Sequence, residues 1–196
     1  IKKLKFHSKK FLEKKFNVKF EKKNLFIIFH PATLEDNTQK KNMTEILKAV
    51  SNFKNYGKFF VYPSADLGGK SIIKLINKFV KKNKFSFKFK SLNQNDYFSF
   101  VKKCDLVIGN SSSGIIEVPS INVGVINIGD RQRGRVKSKA VIDCNPSSKE
   151  IIKSINTLMK NKKKFLSYSN PYDLSGTTRK IISIIERKNK VKELIK

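Results

Sequence analysis

The sequence predicts a doubly wound, Rossmann-like α/β domain built on a parallel sheet. Two observations predict it. Short apolar runs alternate with segments of helical periodicity from residue 24 onward, and strands alternating with helices imply βαβ units with right-handed crossovers. In addition, no fixed-period repeat and no internal linker interrupts the alternation. A single domain over 24–196 is expected, with residues 1–23 as a lead-in from a preceding domain. The first residue is Ile1, not Met, which fits an upstream portion.

The elements follow in order. SKKFLEKKF (8–16) predicts a short helix capped by Ser8. NLFIIFHP (24–31) predicts a buried strand ended by a histidine and a proline, and TQKKNMTEILKAVSNF (38–53) a helix. KFFVYP (58–63) is a second strand, followed by the turn SADLGG and the amphipathic helix KSIIKLINKFVKKN (70–83). FSFKFKSL (85–92) alternates as an edge-like strand, and NDYFSFVKKC (95–104) is a short helix. DLVIGN (105–110) predicts a buried strand running into SSSGIIEVPS (111–120), a helix start with Glu117 about two turns inside. VGVINIG (123–129) is a strand, DRQRGR (130–135) a charged loop and AVIDC (140–144) a last short strand. SSKEIIKSINTLMKN (147–161) predicts a helix capped by Ser147 or Ser148 with Glu150 close behind. A loop through NPYDLSGTT (170–178) leads to a final helix.

Composition narrows the function class. At 39% hydrophobic and 30% charged residues, the 196-residue chain reads as globular rather than disordered. Its longest apolar runs, such as LFIIF (25–29), are too short to cross a bilayer. No membrane association is expected. Cys104 and Cys144 stand far apart without metal-ligand spacing, so no metal site and a reducing, cytoplasmic setting are expected. The net charge of +28 invites a nucleic-acid reading, but the lysines are spread along the whole chain and no ribonucleoprotein or helix-turn-helix motif accompanies them. Lys, Asn, Phe and Ile are all products of A/T-rich codons, so a solvated basic surface without specific nucleic-acid binding is the simpler reading.

In a doubly wound sheet, ligands sit beyond the carboxyl ends of the strands. The positions to inspect are therefore His30, Ser64 to Asp66, Ser91 to Leu92, Asn110 to Ser113 and Gly129 to Arg135. GNSSSG follows a strand and opens a helix, an arrangement whose outward amides bind phosphate; an ordinary serine cap is the plain alternative. It is neither a Walker loop nor GxGxxG. Glu117, between apolar neighbours in IIEVP, needs donors if buried, and vicinal ribose hydroxyls supply them; a structural ion pair would serve as well. DRQRGR holds three arginines in six residues, and guanidinium groups suit diphosphates. Arg131, nearest the strand end, is the candidate, while Arg133 and Arg135 read as a solvated loop.

Taken together, FHPATLEDN (29–37), YPSADLGG (62–69), GNSSSGIIEVPS (109–120), INIGDRQRGR (126–135) and NPYDLSGTTRKI (170–181) resemble, in the same order, the UDP-N-acetylglucosamine 2-epimerases. The hydrolysing kind used in sialic-acid-type sugar synthesis is most similar. The resemblance covers essentially the whole chain and corresponds to the C-terminal, UDP-binding half of a two-domain GT-B-like enzyme. HPAT and SSSG stand where reversible, non-hydrolysing relatives usually show HRxEN and DSGG.

By position, the resemblance implies that His30 faces the diphosphate or sugar and that Ser111 and Ser112 hold phosphate. Glu117 would take the ribose hydroxyls, Arg131 would be the arginine of the nucleotide site, and Leu92 would lie near the uracil. Ser64 falls where relatives often carry Asn. His30 and Arg131 are the catalytic candidates. The implied reaction eliminates UDP from UDP-N-acetylglucosamine, or a close relative of it, and adds water to give an N-acetylmannosamine-type sugar, with no cofactor. The C2 base is expected in the other half, and the complete enzyme is expected to be a homo-oligomer. Two alternatives stand beside this: a GT-B glycosyltransferase using a UDP-sugar donor, and a basic, non-enzymatic binding module.

Overall fold

The computed structural model describes residues 1, 4–31, 36–63 and 68–189. Six parallel strands form one sheet in the order β3-β2-β1-β4-β5-β6, with β1 Lys23–Ile28, β2 Tyr56–Val61, β3 Ser86–Phe89, β4 Leu106–Gly109, β5 Gly124–Ile128 and β6 Val141–Cys144. The connecting helices are α1 Lys9–Phe16, α2 Asp36–Ser51, α3 Gly69–Lys82, α4 Gln94–Lys103, α5 Ser112–Ile116, α6 Ser148–Lys160, α7 Lys162–Leu166 and α8 Thr177–Asn189, with a 3-10 helix at Val118–Ile121. The predicted doubly wound α/β class is the observed one. β3 lies at the sheet edge, as its alternating pattern suggested.

Strands β1, β2, β4 and β5 are buried along nearly their whole length because helices cover both faces, which is why they read as unbroken apolar runs. One face packs Leu25, Ile27, Phe60, Ile108 and Ile126 against α2, α3 and α6; the other packs Phe26, Phe59, Val107 and Val125 against α1, α4 and the 111–123 segment. The lead-in segment contributes to this second face. Ser8 caps α1 through Phe11 N (3.2 Å) and Leu12 is fully buried, while Lys15 Nζ reaches the buried Asp96 of α4 at 2.7 and 3.0 Å.

The predicted capping box of α6 is absent. Ser147 is the cap residue but makes no side-chain cap bond, and Glu150 takes two bonds from Asn145 Nδ2 instead. The amide of Ser148 is satisfied from another helix, by Glu45 Oε2 of α2 at 2.9 Å. Tertiary packing has replaced a local solution. In β2, Lys58 is buried, with Nζ donating to Phe53 O and Tyr56 O at 2.8 and 2.9 Å; burial pushes its pKa down. Helix α8 is amphipathic in sequence, yet Ile181, Ile182, Ile184 and Ile185 are each about half exposed. Among the described residues, no helix is long and apolar enough to cross a membrane.

Candidate functional site

The register sets the strand ends level. Ile28 pairs with both Val61 and Gly109, Gly109 pairs with Asn127, and Ile128 pairs with Cys144. Every strand points the same way, so the segments leaving β1, β4 and β5 emerge on one edge. At the centre, β4 closes on β1 through Gly109. Its φ is +146°, and a Cβ there would stand 1.7 Å from Ile28 O, a position only glycine occupies.

That approach delivers Asn110, which is buried. Its Oδ1 accepts from His30 N and its Nδ2 donates to His30 O, both at 2.8 Å. The side-chain amide thereby pairs with the His30 peptide as another strand would. Asn110 O in turn accepts from Arg131 Nη1 and from Gln132 Nε2, both at 2.9 Å. One asparagine thus ties together the segments that follow β1, β4 and β5. His30 is part-buried, and Arg131 is exposed apart from the bond that anchors it. A cleft of about 420 Å³ opens beside them, with Phe29, Asn42, Asn110, Gly129, Arg131 and Pro146 in its wall.

The serine turn follows directly. Ser111 is the cap residue of α5, and its side chain makes no capping bond to that helix. Helix α5 has five residues, too short for a sizeable dipole. The expectation for Glu117 needs correction here: it does not lie two turns inside a helix but at the break between α5 and the 3-10 helix, with φ −114° and ψ −46°. Pro119 explains the break, since a proline has no N–H to donate to the carbonyl of Ile115 four residues back and its ring crowds that carbonyl. Glu117 is half-buried, and its amide donates to Ser113 O at 2.9 Å. Tyr97 of α4 reaches the same turn, its hydroxyl 3.0 Å from Ser113 Oγ. Burial, with a contribution from the nearby Glu117 charge, raises this phenol to about 12.

Bonds to Asn110 join His30 and Arg131; Ser111 and Ser112 follow Asn110 directly in the chain, and Glu117 closes the far end of α5. Leu92 stands apart from Arg131 by position: it follows the edge strand β3, with β2 and β1 between β3 and β4, and packs half-buried against the core cluster that includes α4. Ser64 and Asp66 lie outside the described residues. Arg133 and Arg135 are exposed. Among the described residues, no three His, Cys, Asp or Glu side chains are grouped as metal ligands would be. Asn110 and Gln132 fall inside two of the stretches that the sequence marks for inspection, but the sequence assigned neither a role, and Tyr97 carried no signal.

Residues 1–186 match the model of a protein family described as UDP-N-acetylglucosamine 2-epimerase. The polysialic acid biosynthesis protein P7 of Escherichia coli is 39% identical over 178 residues, 86% of this chain and 45% of that protein. The GDP/UDP-N,N'-diacetylbacillosamine 2-epimerase (hydrolyzing) of Campylobacter jejuni is 38% identical over 144 residues, 73% of this chain and 38% of that protein. The chain therefore spans less than half the length of these relatives. Among solved structures, an S. aureus MnaA–UDP co-structure superposes with a TM-score of 0.73 at 14% identity, covering 95% of this chain and 49% of that one. At that identity the likeness is one of fold.

Proposed function

The chain belongs to the UDP-N-acetylglucosamine 2-epimerase family, and from that premise we propose that it is the nucleotide-holding C-terminal part of a hydrolysing 2-epimerase. The substrate in this reading is UDP-N-acetylglucosamine or a diacetamido relative, in keeping with the family description and the name of the Campylobacter jejuni relative. Residues 24–196 are the UDP-binding domain, and 1–23 lead into it from a preceding domain. The intact enzyme is a cytoplasmic homo-oligomer.

The observation that carries the reading is the junction at Asn110, which gathers His30, the serine turn and Arg131 at the carboxyl edge of a parallel sheet. Elimination breaks the bond between C1 and the diphosphate oxygen as a base removes the C2 proton, so negative charge grows on departing UDP. Catalysis requires donors fixed where that charge develops. Arg131 supplies a guanidinium already anchored by one N–H on Asn110 O, leaving its other donors for phosphate. The amides and hydroxyls of Ser111 and Ser112 add short donors, and His30 stands across the junction. Glu117 accepts from the ribose hydroxyls, Leu92 flanks the uracil, and Ser64 is a further candidate for substrate contact. Water then adds at C1, and a proton returns to C2 from the opposite face, giving the free, inverted sugar. The C2 base belongs to the preceding domain.

The test is product analysis with the intact protein. The reading expects UDP and free sugar of inverted C2 configuration, with oxygen from labelled water at C1. Reversible formation of UDP-N-acetylmannosamine without free sugar would exclude hydrolysis, and a sugar product that forms only with an added acceptor would make the protein a glycosyltransferase.

A further inference from the structure

Tyr97 has no role in the proposed function, yet its hydroxyl reaches the serine turn. Its helix, α4, is fixed at its start by Asn93, whose Oδ1 accepts from Asp96 N at 2.9 Å. The Tyr97 ring stands edge-on to Phe26 of β1, with centroids 5.3 Å apart and planes at 83°, and edge-on to Phe98 at 5.0 Å. These contacts with core phenylalanines leave the phenol little rotational choice. Its hydroxyl crosses from α4 to α5 and lies 3.0 Å from Ser113 Oγ.

The direction of that bond follows from chemistry. A phenol is a stronger donor than an alkanol, and this phenol stays protonated well above neutrality because burial disfavours its anion. Tyr97 O–H therefore donates to Ser113 Oγ. A hydroxyl that has accepted on its oxygen keeps its own proton for another acceptor. Ser113 is part-exposed and stands three residues beyond Asn110, so solvent or a ligand can reach that proton. A diphosphate offers acceptors only, and a serine committed to donate suits it.

We propose that Tyr97 is a positioning residue that turns Ser113 into a third hydroxyl donor to the diphosphate, beside Ser111 and Ser112. The proposal rests on the nucleotide-site reading above. It concerns the phosphates and not the nucleoside, because Ser113 neighbours the phosphate turn while Glu117 is assigned the ribose.

The experiment is displacement calorimetry on the intact protein with UDP and with uridine, comparing wild type, Tyr97→Phe, Ser113→Ala and the double variant. Each single variant is expected to weaken UDP by roughly tenfold or more, the effect of one hydrogen bond to a charged group, while leaving uridine unchanged. The double variant is expected to be no weaker than Ser113→Ala alone, since Tyr97 acts through Ser113. Equal losses for UDP and uridine, or additive losses in the double variant, would show a packing role and overturn the proposal. So would a Tyr97→Phe protein that binds UDP as wild type does. If Tyr97→Phe fails to fold, Ser113→Ala alone decides: unchanged UDP affinity removes the third donor. Wild-type protein that binds no UDP would instead overturn the nucleotide-site reading itself.

Discussion

The side-chain amide of Asn110 pairs with the peptide of His30, accepting from its N–H and donating to its C=O at 2.8 Å each. The two residues are 80 positions apart and belong to adjacent parallel strands that have both ended. The ladder between β1 and β4 is in effect continued by one side chain, which holds His30 level with the serine turn.

Replacing that side chain should therefore loosen the site as well as the fold. Asn110→Ala leaves the His30 peptide without its partner in a part-buried setting, a loss of about 2–3 kcal/mol. Urea denaturation of the variant should show it as a lower midpoint with an unchanged slope. Nucleotide affinity should fall with it, because His30 and Arg131 both hang on this residue. Wild-type stability in Asn110→Ala would show that the bond is incidental.

The fold was largely legible in the sequence, and the physical reasons are specific. Runs such as LFIIF and LVIG have no polar face and so demand cover on both sides, which leaves few architectures besides a parallel sheet between helices. Gly109 and Arg131 stand where a strand ends, so the carboxyl edge was marked as well. What sequence could not show was pairing across long separations. Gln132 reads as one polar residue in a charged loop, yet it is buried and its Nε2 donates to Asn110 O, just beyond β4. The α6 cap failed for the same reason, since a carboxylate 103 residues away displaced the local one. The Glu117 error differs in kind: Pro119 was visible, and a proline removes an N–H from the helical ladder and breaks it.

The lead-in segment is tied down by charge as well as by Leu12. Asp96 is almost fully buried, and its close cationic partner is Lys15, with His7 Nε2 farther off at 3.7 Å. Lys15→Ala should strand that carboxylate. Removing one member of a buried pair costs several kcal/mol, less here because Lys15 is 40% exposed, so a loss of about 2–3 kcal/mol is expected. The double variant Lys15→Met, Asp96→Asn should recover most of it, as thermal denaturation of both proteins would reveal. No recovery would mean that Lys15 contributes through packing alone.

Glu45 makes the junction between α2 and α6 sensitive to acid. Bonds from Lys48 and from the Ser148 amide pull its pKa down from 4.5 to about 2. A carboxyl with a depressed folded-state value stabilises the fold in full above its unfolded value, and that contribution disappears as pH falls through the folded one. Wild type should therefore lose stability between about pH 4.5 and about pH 2 through this group. Glu45→Ala should lack that component and be weaker at pH 7 by about 1 kcal/mol, the usual effect of a lost helix cap. Parallel acid titrations of the two proteins, followed by circular dichroism, should converge toward pH 2. A difference that stayed constant with pH would remove Glu45 from the cap.

Arg131 carries the sharpest prediction for turnover. One of its N–H donors is committed to Asn110 O at 2.9 Å, which fixes where the guanidinium stands, and the planar group still has four donors for an anion. In the proposed function Arg131 both anchors itself and neutralises the leaving diphosphate. Arg131→Ala would then lose both functions, and removal of a donor to developing negative charge typically lowers turnover by about a hundredfold or more. Arg131→Lys restores the charge but not the fork, since a single ammonium cannot hold Asn110 O and span two phosphates with fixed geometry. It should therefore recover only a small part of the loss. Steady-state assays on the intact protein should place the deficit in kcat as well as in UDP affinity, because charge on the diphosphate is greatest as the C1–O bond breaks. A variant whose kcat is unchanged while KM rises would make Arg131 a substrate-binding residue without a part in the chemical step.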